Sequence, residues 1–274
     1  MNILIPMAGA GQRFVDAGYK IHKPAIQTFD LKSGELLPMV VCATKDLPGT
    51  EEDGRNIIYI DRTFHRSDGV EEEIKNHYPK ATFITIDLLT DGQAATCLLA
   101  KERINNNEEL LIAGCDNGMI FDLDKFYEAK QTADVLVFTY RNNECVLENP
   151  NAYGWVEVDS EDNITGVSIK KSISDCPMRD HAIVATFWFK HGSIFVQSDE
   201  EMIAKNDRVN GEFYVDQTIQ YVIQNGFQAK VFEIDRYIGW GTPKDFELYS
   251  NTIHYWKDFI HKNKRSFIKE NTHD

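Results

Sequence analysis

The stretch Leu4–Phe14, LIPMAGAGQRF, decides how the chain is read. An apolar run opens into Gly9-Ala10-Gly11 and is followed at once by Gln12-Arg13. Glycines after a buried strand let the backbone turn sharply and leave N–H groups pointing outward, an arrangement suited to an anion. Arg13 adds a planar fork that fits phosphate oxygens. Two phosphate-loop patterns are ruled out by the residues present. A dinucleotide fingerprint needs a third small residue where Phe14 stands, and a Walker loop needs Gly-Lys-Ser/Thr. Taken by itself, the loop is equally well explained as a tight turn carrying a surface arginine.

Ten residues on, Ile21-His22-Lys23-Pro24-Ala25 shifts that balance. Proline holds the residue before it extended, which aims Lys23 back toward the loop. Two cations and a glycine turn within fifteen residues favour a polyphosphate site.

Outward from this stretch, short apolar runs alternate with helix-length amphipathic segments. Strands are expected at Ile3–Pro6, Asn56–Ile60, Thr82–Ile86, Leu110–Ala113 and Val135–Tyr140, with helices at Pro38–Lys45, Gly69–His77, Ala94–Ile104 and Leu123–Ala129. That alternation predicts βαβ units and a mainly parallel sheet covered on both faces. The middle changes character: a hairpin is expected around Ser160–Asn163 and a strand at Ala182–Phe189, which adds antiparallel members. A helix at Val215–Asn225, a strand at Ala229–Ile234 and a helix at Pro243–Phe259 complete the reading. The fold class is thus α/β, a single-domain three-layer sandwich with a mixed, mainly parallel sheet. The domain is expected to span residues 1–264, followed by a polar tail, 265–274.

Composition narrows the partners. The chain has 274 residues, with 43 acidic against 29 basic and a formal charge of -14, so it lacks the basic face that duplex nucleic acid requires. The five cysteines are widely spaced and form no C-x-x-C pair, which suits reduced thiols in a cytoplasmic protein. No run approaches the roughly 20 apolar residues of a membrane span. A homo-oligomer is left open.

LIPMAGAGQRF followed by KPAI resembles the signature of the sugar-phosphate nucleotidyltransferases, which join a nucleoside triphosphate to a sugar phosphate or similar phosphate and release pyrophosphate. The resemblance covers almost the whole chain and implies a GT-A or Rossmann-like domain binding nucleotide over the C-terminal ends of its strands. It makes Arg13 and Lys23 catalytic, and assigns nucleotide contacts to Ala8, Gly9, Ala10 and Gly11, with Gly92 and Gln93 of Asp91-Gly92-Gln93-Ala94 reading the base. Asp116, delivered by the strand Leu110–Ala113, matches the family's Mg²⁺ ligand. Tyr153 and Gly154 match its acceptor-binding strand start, Glu212 the segment that approaches the acceptor, and Trp240 the closing Trp-Gly-Thr-Pro-x-Asp.

Two departures stand out. Lys170 replaces the glutamate of the family's Glu-Lys pair, leaving Lys171 to meet the acceptor phosphate with Lys170 beside it. Gly239 stands where many members carry a second metal aspartate, so Asp216 is the substitute candidate. These departures suit cytidylyltransferases of capsule or surface-polysaccharide biosynthesis that use a phosphorylated polyol, choline or amino acid such as phosphoglutamine, and CMP is the favoured group. The rival class is a nucleotide-binding regulatory subunit with the same fold and no catalysis. A dehydrogenase is opposed by Phe14. A glycosyltransferase is opposed by Cys115-Asp116-Asn117, which lacks the first aspartate of D-x-D; Asp122-Leu123-Asp124 has the spacing but opens a helix.

Overall fold

β-Branched and aromatic runs bounded by turns form the strands, as their sequences suggest. In the computed structural model, which describes residues 1–270, these are β1 (Asn2–Pro6), β2 (Gln27–Phe29), β3 (Leu36–Pro38), β4 (Ile57–Arg62), β5 (Thr82–Ile86), β6 (Leu110–Ala113), β7 (Asn117–Ile120), β8 (Val135–Tyr140), β9 (Gly154–Val158), β10 (Ile164–Ile169), β11 (His181–Phe189), β12 (Ala229–Glu233) and β13 (Arg236–Gly239). Asn271–Asp274, the end of the expected tail, lie outside the described residues.

A nine-stranded mixed sheet forms the centre. It runs β5-β4-β1-β6-β11, with β8 and then β12 beyond β11. β10 and β11 run against the other seven strands. Thr186–Phe189 of β11 pairs with β6, and Thr186 faces Ala113, the last residue of β6. The earlier half of β11 overshoots that end, where His181 and Ala182 pair instead with β9. A register shift between Ile183 and Phe187, with Ala185 in the left-handed region at φ 59°, makes the change of partner. The β9–β10 hairpin therefore stands above the C-terminal end of β6.

Alternating residues of the central strands bury two cores, one on each face. On one face Ile3, Ile5, Tyr59 and Leu111 pack with Val40, Ile74 and Phe126. Those three come from the helices Met39–Lys45, Val70–His77 and Leu123–Ala129. On the other, Leu4, Ile60 and Ile112 pack with Cys97, Phe195 and Ile219 from the helices Gln93–Leu98, Gly192–Ala204 and Val215–Gln224. The three-layer expectation is met. No helix among the described residues is long and apolar enough to cross a membrane.

Several elements differ from expectation for local reasons. The expected helix Ala94–Ile104 is two short ones, Gln93–Leu98 and Lys101–Ile104, parted at Leu99-Ala100. The helix Gly192–Ala204 was not anticipated, because its apolar residues face both a neighbouring helix and the sheet and leave no single stripe. The small ribbons β2–β3 and β7–β13 are too short for periodicity to show. The last helix runs over Pro243–Glu270, past Phe259 and into the expected tail.

One seam joins two segments of interest. Phe213 N–H donates to Asp91 O at 2.7 Å and Ala94 N–H donates to Phe213 O at 3.0 Å. Gly92 lies between at φ 124°, where a Cβ would meet Phe213 O at 2.4 Å. Gly92→Ala is expected to cost about 1–3 kcal/mol of stability through strain and overpacking. Urea denaturation checks this, and an unchanged midpoint would contradict the seam.

Candidate active site

β1 and β6 lie side by side, so the loops leaving their C-terminal ends meet. Gly9 and Ala10 are exposed, and the N–H groups of Gly9, Ala10 and Gly11 have no partner among the described residues. Gly11 takes φ 62° and starts the short helix Gln12–Asp16. Phe14, which displaced the dinucleotide reading, is buried with Trp240 and Phe246 and pins the loop from below.

Lys23 reaches the end of β6. Its Nζ donates to Asp116 Oδ2 at 2.7 Å. The residue held extended is His22, at ψ 141°, while Lys23 opens a 3₁₀ turn with Pro24; the aim toward the loop is as expected, though its local cause differs. Burial alone would lower the Lys23 pKa, but Asp116 holds it above its ordinary value against the opposing charge of Arg13. Burial pushes the Asp116 carboxyl up, and Lys23 outweighs this and holds it below the usual carboxylate range. Lys23 is therefore cationic and Asp116 anionic at neutral pH.

Glycines surround the carboxylate. A Cβ on Gly241 would lie 3.1 Å from Asp116 Oδ2, and one on Gly114 3.3 Å from Oδ1. Small neighbours leave the oxygens room for a further ligand. Behind them Trp240 is fully buried, and its backbone N–H holds Asp116 O at 2.9 Å. This corrects the expectation for Trp240: its ring belongs to the core and anchors Asp116 from behind, out of an acceptor's reach. At Gly239 a Cβ would lie 3.1 Å from the Tyr237 hydroxyl. Tyr237 stacks on Tyr140 at 4.3 Å between ring centroids, and the space an aspartate would need is taken by this ring.

The hairpin brings the acceptor candidates over the same place. Lys170, at φ 56°, turns inward: its Nζ donates to Ala152 O and lies 5.7 Å from the Tyr214 ring centroid. Burial lowers its pKa, Arg13 adds to that, and Asp216 and Glu212 oppose it. Lys171 is exposed. Gly154 leaves room for Asp216, whose Oδ2 lies 2.2 Å from where a Cβ would stand. Burial pushes the Asp216 carboxyl up to about 6, with Lys170 pulling the other way. Glu212 accepts a hydrogen bond from the Tyr214 hydroxyl at 2.5 Å, and the Tyr153 hydroxyl donates to Cys145 O at 3.0 Å.

Arg13 links the two halves. Its charge bears on Lys23, Asp116, Lys170 and Tyr214, and it has no ion-pair partner among the described residues. A cleft of about 1040 Å³ opens here, with Gly11, Arg13, Lys23, Asp116 and Tyr153 in its walls. Its far side is made by Arg141–Cys145 and Asp235–Ile238, which no motif revealed, and by Gly239, Gly241, Thr242 and Asp245 of the closing motif. Ala8, Gly9, Ala10, Gly92, Gln93, Gly154, Lys170, Lys171, Glu212, Asp216 and Trp240 lie outside that lining. Among the described residues no group of three or more His, Cys, Asp or Glu could hold a metal ion. A lone carboxylate with open space suits a magnesium that takes its other ligands from phosphate and water.

No protein-family model matches the chain, and no curated sequence matches it. Among solved structures it is similar to a nucleoside-diphosphate-sugar pyrophosphorylase from Vibrio cholerae, with a TM-score of 0.70 at 18% identity over 90% of this chain and 98% of that one. It is also similar to the inositol-1-phosphate CTP transferase of T. maritima, at 0.64 and 14% over 91% and 93%. A UDP-glucose pyrophosphorylase complexed with UDP-glucose gives 0.64 and 17% over 94% and 98%. The fold read from Leu4–Phe14 is thus that of solved sugar-phosphate nucleotidyltransferases.

A double-mutant cycle tests the pair at the centre of the site. Lys23→Met and Asp116→Asn are each expected to destabilise, with a coupling energy of about 1–3 kcal/mol, the range for partly buried contacting charges. Additive losses on urea denaturation would contradict the ion pair.

Proposed function

We propose that the chain is a nucleotidyltransferase that moves an NMP group from a nucleoside triphosphate to a phosphorylated small molecule, releasing pyrophosphate. The observation that carries this is the Lys23–Asp116 pair beneath a glycine loop with free N–H groups, with unpaired Arg13 beside it. Such a set grips a triphosphate and leaves room for a second anion.

In this reading an acceptor phosphate oxygen attacks the α-phosphorus in line. The new P–O bond forms as the bond from α-phosphorus to the bridging oxygen breaks, and pyrophosphate leaves with that electron pair. The nucleophile arrives ionised, so no general base is needed, and the protein positions the reactants and neutralises their charge. The amides of Gly9–Gly11 and Arg13 hold the phosphates, and Lys23 swings between Asp116 and the α-phosphate oxygens. Asp116 would hold a Mg²⁺ ion, which would supply Lewis-acid charge neutralisation there. Asp216 lies with Lys170 on the acceptor side and is the second carboxylate available. The inward course of Lys170 makes it the better candidate for the acceptor phosphate, with Lys171 behind it. CMP remains the group we favour, with a phosphorylated polyol, choline or amino acid as acceptor, because Lys170 and Gly239 depart from the hexose pattern.

Pyrophosphate release with Mg²⁺, the common triphosphates and a panel of phosphorylated acceptors tests this. Arg13→Ala and Lys23→Ala are expected to lower turnover by about 10²-fold or more, the scale of one lost preorganised contact. Near-normal turnover in both would contradict it, and nucleotide binding without release would indicate a non-catalytic subunit. Lys170→Ala is expected to raise the acceptor KM about tenfold, the equivalent of roughly 1.4 kcal/mol, while Lys171→Ala changes it little. The reverse ranking would restore Lys171 to the role.

A further inference from the structure

The helix Pro243–Glu270 uses two faces. One is fastened to the body: Phe246 is buried, the Tyr249 hydroxyl donates to Phe29 O at 2.7 Å, and Lys257 Nζ donates to Gly34 O at 2.5 Å and lies over the Phe29 ring. The other carries Leu248, Thr252, Tyr255, Trp256, Phe259 and Ile260. At roughly 100° per residue these six cover an arc of about 140°, whose edge at Trp256 and Ile260 adjoins the body contact of Tyr249. The apolar five are exposed by 67%, 62%, 52%, 47% and 51% for Leu248, Tyr255, Trp256, Phe259 and Ile260. Tyr255, Trp256 and Phe259 pack on one another, so the stripe is one surface.

We infer that this stripe is the contact between two copies of the chain, packed as an antiparallel helix pair about a two-fold axis near Tyr255. Three observations favour a second copy. The first is area: with aromatic side chains of about 150–250 Å² each, the half-exposed stripe presents on the order of 500 Å² per copy. Two copies then approach the lower bound of about 1,200 Å² for a specific interface, whereas a monomer rarely leaves so large a contiguous apolar patch bare.

The second is charge. Each molecule carries a formal charge of -14, so most faces repel their own kind. The six stripe residues carry no charge, so two copies can meet on this face without that repulsion, and antiparallel packing opposes the two helix dipoles. An anionic lipid surface meets the repulsion of the acidic body that follows.

The third is continuity with the cleft. Leu248 and Thr252 belong both to the stripe and to the cleft wall. The partner helix therefore lies along that wall and extends it.

Sedimentation of the full chain, from about 1 to about 100 µM, spans the affinities expected of such an interface. A dimer is expected for the wild-type chain, and a monomer with unchanged far-UV circular dichroism for Trp256→Glu/Phe259→Glu. A wild-type chain that is monomeric throughout overturns the inference, as does a dimer that survives the double substitution. Oxidative cross-linking gives a second reading that does not depend on the charged variant folding. In a Cys176→Ser background, Tyr255→Cys should link two chains, and a wild-type dimer whose Tyr255→Cys form does not link overturns the arrangement. A monomer that floats with phosphatidylserine vesicles assigns the stripe to lipid instead.

Discussion

The ion pair between Lys23 and Asp116 is the constraint on which the site depends. It joins the turn after the glycine loop to the end of β6 at 2.7 Å, and it does so where both side chains are largely withdrawn from water. Withdrawn charges are costly unless paired, so each residue fixes the other's position and ionisation. The glycine loop ends beside the same lysine, where a Cβ on Gly11 would lie 3.8 Å from Lys23 Cβ. Glycines beside Asp116 leave room around its oxygens next to the ion pair, and a fully buried Trp240 anchors it from behind.

The second constraint is topological. β11 is longer than β6, and its overshoot carries the β9–β10 hairpin above the end of β6. Through it Gly154 and Lys170 stand near the end of β6, and Asp216, from the helix Val215–Gln224, packs against Gly154. The left-handed Ala185 marks where β11 changes partner, and such strain persists where the surrounding pairing demands it.

Much of this was legible in the sequence where chemistry and periodicity coincide. β5, β6, β8 and the helix Leu123–Ala129 fall on their expected residues because their apolar runs are bounded by clear turn signals. Gly9–Gly11, Arg13, Lys23 and Asp116 could be singled out because a glycine turn, two cations and a strand-end carboxylate have a common physical meaning, and the fold brings Gly11, Arg13, Lys23 and Asp116 into one cleft. The rest depended on tertiary contact. Nothing local tells that Trp240 points into the core or that Lys170, and not its neighbour, turns inward. The Tyr140–Tyr237 stack over Gly239 joins residues nearly a hundred positions apart. Gly92 illustrates a subtler limit, since its lack of a side chain is explained by Phe213, more than a hundred residues later.

Transfer of isotope tests the central claim most directly: that the cleft lined by Arg13, Lys23 and Asp116 holds a triphosphate for attack at its α-phosphorus. With Mg²⁺, an acceptor that supports turnover and triphosphate labelled separately at the α and γ positions, the account predicts α label in the nucleotide-linked product and γ label in pyrophosphate. Label from the γ position on the acceptor, or no transfer from either position with any triphosphate and acceptor, would contradict it.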